Sequence, residues 1–141
     1  AVGMAMMSSM GGASGAVFGT LFRSGGKPLK DAETLDAAGA VTLFKEGTEG
    51  VMSRGGAKPG DKTMVDALAP ATEAGEKAAA ANVSDALAAI AEGAEAGKEA
   101  SKDMIATMGR AKTLGEGSLG KPDAGAVSVA IIAATMRDFA G

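Results

Sequence analysis

Apolar residues return every three or four positions along most of the chain, the spacing of one face of an α-helix. Val2, Met6 and Met10 share a face of a first short helix, which Gly11-Gly12 interrupts. Ala13 to Phe22 reads as a second helix with Ser14 at its N-terminus, followed by a loop at Ser24-Gly25-Gly26-Lys27-Pro28. Asp31 is the expected cap of a long helical stretch that carries Leu35, Val41, Leu43, Phe44 and Val51 and ends near Gly55-Gly56. Lys58-Pro59-Gly60 is a turn, and Asp61 is the expected N-cap of the next helix. That helix places Met64, Leu68 and Ala71 on one face, with Pro70 as a kink or a late boundary. Glu73 to Met108 is rich in Ala and Glu, with Val83, Leu87, Ile90, Ala94, Met104 and Ile105 as its apolar positions and Ser84 as an internal cap. Gly109 to Gly125 is a glycine-rich structured loop, and Ala126 to Phe139 a last helix. Val127, Val129 and Ile131 alternate as in a strand, but the Ala- and Met-rich continuation favours helix. The expectation is an all-α fold in one domain, residues 1–141.

Composition narrows the chemistry. The chain has 141 residues, 46% of them hydrophobic and 22% charged, enough to build a packed core. Four Phe are the only aromatic residues, so Ala, Gly and Met supply the apolar surface. The net charge of −3, dispersed Lys and Arg and missing aromatic platforms argue against a nucleic-acid surface. With no Cys and no His, disulfides, thiolate nucleophiles, Cys/His zinc sites, phosphohistidine and a histidine base are excluded within these residues. No apolar run is long enough for a membrane span, and Ala1 to Met10 lacks the basic start of a signal peptide. A cytoplasmic location is expected, and the Ala at position 1 suggests upstream sequence.

Three segments concentrate the glycines: Gly11 to Gly15, Arg54 to Met64, and Arg110 to Gly125. Helix N-termini present unpaired N–H groups and partial positive charge, which suit phosphate oxygens, and glycine lets backbone approach a ligand. Helices running up and down would gather such segments at one end. Simpler readings stand beside this one. Gly11 to Gly15 also reads as a helix break capped by Ser14, and Gly60-Asp61-Lys62-Thr63 as a turn with its cap. Lys62-Thr63 resembles the end of a P-loop but lacks the upstream glycine spacing. Gly115-Glu116-Gly117-Ser118-Leu119-Gly120 has the letters of a dinucleotide fingerprint, yet helical sequence, not a strand, precedes it. The Glu/Lys runs from Glu92 to Lys102 read as a solvated helix face.

The three segments together resemble the L subunit of dihydroxyacetone kinases. Met10-Gly11-Gly12-Ala13-Ser14-Gly15-Ala16-Val17-Phe18-Gly19-Thr20 is similar to that family's first glycine block. Ser53-Arg54-Gly55, then Lys58-Pro59-Gly60-Asp61-Lys62-Thr63-Met64-Val65-Asp66, is similar to its second. Gly109-Arg110-Ala111, Leu114-Gly115-Glu116 and Ser118 to Ser128 are similar to its third. Order and spacing agree along the whole chain.

The resemblance implies an antiparallel up-and-down barrel of eight helices, about six of them in this chain, with a nucleotide at one end. It implies ADP or ATP contacts at Ala13, Ser14, Gly55, Met64, Arg110, Asp123 and Gly125, with Arg110 as the catalytic phosphate clamp and Met64 packing on the base. Magnesium is an implied cofactor, but the family's aspartate ligands correspond to sequence upstream of Ala1, so no metal ligand is assigned here. Two departures touch the third block. Lys121-Pro122-Asp123-Ala124-Gly125 shifts a proline, and Glu116-Gly117-Ser118 lacks a basic side chain. The implied activity is phosphoryl transfer to dihydroxyacetone or a related short ketose held on a partner K subunit or domain. The donor is ATP or a phosphohistidine protein of the phosphotransferase system. The alternative is a non-catalytic regulatory or interaction module that keeps the barrel. The N-terminal domain of fatty-acid kinases ranks below both, because its glycine block differs from Gly11 to Gly15.

Overall fold

The structure, a computed structural model, describes residues 1–79 and 81–140, with the side chains of Ala13 and Arg110 outside the description. Its α-helices are α1 (Val2–Ser9), α2 (Gly12–Gly26), α3 (Ala37–Gly55), α4 (Val65–Lys77), α5 (Val83–Ala100) and α6 (Ala124–Ala140). Short 3-10 turns occupy Lys27–Leu29, Ser101–Asp103 and Arg110–Ser118, and no strand occurs among the described residues. The alternating stretch from Val127 to Ile132 is helical, as its continuation implied.

The helices run alternately up and down, and small residues set the register. A Cβ on Gly3 would strike Arg23, and one on Gly19 would strike Met7, so α1 and α2 are antiparallel. Gly25 sits on the Leu43 carbonyl and Gly47 on Leu21, which does the same for α2 and α3. Thr48 meets Thr72 at 3.1 Å and Lys45 pairs with Glu76 at 3.0 Å, setting α3 against α4. Gly75 faces Ile90, Gly93 faces Pro70 and Gly97 faces Asp66, setting α4 against α5. Ser101 and Asp123 join at 2.9 Å where α5 ends and α6 begins. This is the all-α, antiparallel up-and-down helical arrangement expected from the sequence.

The core lies where α2 to α6 face one another. Leu68, Ile90, Val65 and Val129 are fully buried, each contributing roughly 1.5–3 kcal/mol. α4 and α5 come closest, because Ala67 and Ala71 face Gly93 and Gly97. Pro70 lies inside α4 rather than at its end. It has no N–H to offer the carbonyl one turn back, that of Asp66, and Gly97 passes beside that carbonyl.

Several boundaries differ from expectation. α2 continues through Ser24-Gly25-Gly26, because Gly25 lets it lie directly on the Leu43 carbonyl of α3. α3 starts at Ala37, capped by Asp36, which accepts the Gly39 N–H at 2.7 Å, and not by Asp31. Leu35 therefore precedes the helix. α5 is capped by Asn82, which accepts from Asp85 N–H at 2.8 Å, rather than by Ser84. α1 buries Gly3, while Val2 is exposed and Met6 only partly buried against the core. The Glu/Lys face of α5 is solvated and laced by Lys98–Glu95 and Lys102–Glu99 pairs, both 2.5 Å. Among the described residues no helix is long and apolar enough to cross a membrane.

Candidate functional site

Alternating direction puts the C-terminal ends of α1, α3 and α5 and the N-terminal ends of α2, α4 and α6 at one rim. All three glycine segments fall there.

Segment 10–15 joins α1 to α2. Gly11 is the extended N-cap of α2, and Gly12 follows it at φ +67 with open space around it. Ser14 is exposed in the first turn and is not the cap; the Ala13 and Arg110 side chains lie outside the described ones. The α2–α3 register, with Gly50 beside Thr20 and Ser24, carries on to bring Ser14 level with Gly55. Gly55 closes α3 and is exposed, and Gly56 turns the chain away at φ 72, its N–H bonded to Met52 O at 2.9 Å.

Segment 57–64 is organised by a carboxylate further along than expected. Asp61 does not cap α4; it accepts the Lys58 N–H at 3.0 Å. Asp66, inside the first turn and buried, accepts from Gly60 N–H at 2.6 Å and Thr63 N–H at 2.9 Å, while Thr63 Oγ1 accepts from Val65 N–H at 3.2 Å. Thr63-Met64-Val65-Asp66 thus works in the manner of a capping box. Met64 immediately precedes Val65, the first residue of α4, and is partly buried.

Segment 101–125 packs onto segment 57–64. Thr107 donates both its N–H (3.3 Å) and its hydroxyl (3.0 Å) to the Asp61 carbonyl. This sets the backbone leading to Gly109 (φ 66) and Arg110 against the second segment. Ser118 is buried; its Oγ accepts from Ala106 N–H at 2.9 Å and donates to Gly115 O at 2.7 Å. Ser101, fully buried, accepts from Asp123 N–H at 2.9 Å and donates to Lys98 O at 2.6 Å. Asp123 caps α6 through the Ala126 N–H at 2.9 Å. A Cβ on Gly125 would lie 3.1 Å from both Met64 Cβ and Asp123 Oδ2, so the starts of α4 and α6 are in contact.

Lys62 binds the two segments together. It is 3% exposed and adopts φ 59, a conformation that costs a non-glycine residue about 1 kcal/mol. Its Nζ donates to the carbonyls of Met104 (3.1 Å), Lys121 (2.7 Å) and Ser118. Burial raises the Asp123 carboxyl above its ordinary pKa; the Ala126 and Gly125 amides oppose this, Asp66 adds to it and Lys62 subtracts.

Of the expected contact residues, Met64, Asp123 and Gly125 meet directly, and Ser14 and Gly55 share the rim level. The sequence reading did not single out Lys62, Asp66, Ser101 or Ser118 as site residues. They are four of the six buried polar or charged side chains among the described residues. The spacing of Thr63 and Asp66 was a legible signal for one of them; burial of the others is not written in local pattern. No set of three metal-binding side chains occurs among the described residues. The Asp66 and Asp123 carboxylates each accept backbone amides and so hold the starts of α4 and α6. A cavity of about 880 Å3 lies elsewhere, along α1 and α2 toward Lys27, Lys30 and Arg54, and includes none of the candidate contact residues.

An all-helical chain that gathers glycine-flanked helix starts at one rim is the class the geometry defines. The chain belongs to the DAK2 domain family, whose sequence model matches residues 1–138. It is 41% identical over 129 residues to the PEP-dependent dihydroxyacetone kinase, ADP-binding subunit DhaL of Escherichia coli (strain K12), over 90% of this chain and 61% of that protein. It is 39% identical over 130 residues to an L-erythrulose 1-kinase of Mycolicibacterium smegmatis, over 92% of this chain and 23% of that protein. To the human triokinase/FMN cyclase it is 36% identical over 129 residues, over 90% of this chain and 22% of that protein. The chain therefore spans about three fifths of the length of the first of these relatives and under a quarter of the others.

Proposed function

We propose that this chain is the nucleotide-binding part of a dihydroxyacetone-type kinase in the cytoplasm, one domain over residues 1–141. It holds ADP or ATP at the rim, and the terminal phosphoryl group passes to a hydroxyl of dihydroxyacetone or a related short ketose held by a partner K subunit or domain. The observation that supports this most is the convergence of three glycine-bearing segments on one rim, with the α4 and α6 starts in contact at Met64 and Gly125. In this reading, Ala13, Ser14 and Gly55 offer backbone to the phosphates, and Met64 packs on the base. Asp123 and Gly125 border the same nucleotide, and Arg110 clamps charge developing on the transferred group. Magnesium ligands lie outside these residues in this reading, and the donor is ATP or a phosphohistidine protein. The other reading is a non-catalytic regulatory or interaction module that keeps the rim; it is distinguished by magnesium ligands being absent from the full protein.

Titration of the chain with ADP, AMP and adenosine by calorimetry tests the proposal. Phosphate recognition predicts that affinity falls along that series, by about tenfold or more from ADP to adenosine. Equal affinity for all three, or no binding, refutes it.

A further inference from the structure

The geometry points to Lys62 as a positioning residue of the rim: its buried ammonium is a three-carbonyl clasp that fixes the start of α6 against the start of α4. This rests on the nucleotide reading for its functional consequence, but the clasp itself is a separate claim. An ammonium has three protons, and each here has a carbonyl: Met104 O at 3.1 Å, Lys121 O at 2.7 Å and Ser118 O. All three belong to the segment between α5 and α6, and no carboxylate is in ion-pair range of this side chain among the described ion pairs.

A buried charge whose direct hydrogen bonds all go to neutral backbone, with Asp123 near enough to feel it but not paired with it, is a poor way to gain stability, because desolvation opposes it and an apolar chain could fill the space. What it does supply is a point fixed in three directions. Lys62 lies two residues before Met64, and Lys121 two residues before Asp123. Moving the ammonium therefore moves the chain just ahead of both helix starts, α4 at Met64 and α6 at Asp123. The left-handed backbone at Lys62 turns the side chain inward, away from the solvent that a lysine usually reaches. Gly120 N–H, bonded to Lys102 O at 2.7 Å, and the Ser118 hydroxyl network hold the remaining freedom of the same segment. With that segment pinned elsewhere, loss of the clasp should loosen residues 104–121 without unfolding the helices.

The test uses residues 1–141 and hydrogen exchange. Lys62→Met is expected to keep the helical circular dichroism, accelerate amide exchange across 104–121 by about tenfold or more, and weaken ADP binding by a similar factor. Because the chain has no cysteine, Lys62→Cys can be alkylated while unfolded and then refolded. Aminoethylation restores an ammonium at nearly the lysine reach, and propylation gives a neutral match. Recovery with the ammonium alone supports the clasp, including where Lys62→Met fails to fold. Recovery with both adducts, or with neither, overturns it, as does exchange in Lys62→Met within twofold of the parent. If the parent does not bind ADP, the nucleotide reading fails, while the exchange comparison still decides the clasp.

Discussion

Gly97→Ala is the substitution whose effect the packing fixes most tightly. In isolation it should help, since alanine is favoured over glycine in a helix interior by about 1 kcal/mol. In this fold the new methyl would overlap the Asp66 carbonyl and stand 2.8 Å from Ala67 Cα and 2.9 Å from Pro70 Cγ. Two of those obstacles are backbone and the third is a closed ring, so no rotamer relieves them. α4 must retreat from α5 by about an ångström, at an overpacking cost of about 1–3 kcal/mol. The retreat carries Asp66 with it, straining the bonds from Gly60 and Thr63 N–H, worth about 1 kcal/mol each. The upper overpacking cost less the helix gain leaves about 2 kcal/mol, and complete loss of both bonds raises this to about 4 kcal/mol, or about 10 °C in Tm for a chain this size. Urea and thermal unfolding followed at 222 nm measure both. Gly26→Ala is the control: it also lies in a helix, but nothing comes within 4 Å of its added Cβ, so it should be neutral or stabilising. Equal or greater stability for Gly97→Ala would refute the close α4–α5 approach.

Three further outcomes are expected. Burial holds the folded Asp123 carboxyl above its unfolded pKa. Its contribution to stability is therefore fullest below the unfolded value, near pH 4, and is lost as pH rises through the folded value. Asp123→Asn keeps a capping oxygen but removes this slope, so parent and variant urea midpoints should diverge as the pH rises from the unfolded value, about pH 4. Parallel midpoints would contradict it. Asn82→Ala removes the α5 cap bonded to Asp85 N–H and should lower stability by about 1 kcal/mol, read from the same curves, with ADP affinity unchanged. Arg110→Ala, measured in the assembled kinase, should lower kcat by at least about tenfold with the fold intact by circular dichroism; unchanged turnover would remove Arg110 from its role.

The helices were legible because their apolar spacing repeats over two or more turns, and the glycine segments because they interrupt that spacing. Caps were less legible. Asp31, Asp61 and Ser84 are each suitable by residue type, yet Asp36, the Thr63–Asp66 pair and Asn82 do the work. Which candidate wins depends on where the chain leaves the preceding element, and that is decided by packing. Gly25-Gly26 shows the same limit: two glycines signal a break in sequence, but in the fold Gly25 serves a close crossing over Leu43. Lys62 was visible only as part of a motif, since nothing local distinguishes a buried lysine from a solvated one.

An array of helices that reverses direction at every step has two unequal faces. Turn 27–36 and residues 78, 79, 81 and 82, together with positions 1 and 140, all lie on the face away from the glycine segments. Additions made on that side would leave the glycine-bearing end uncovered. Related sequences in which this stretch is three fifths of one protein and under a quarter of others have the freedom such a layout allows.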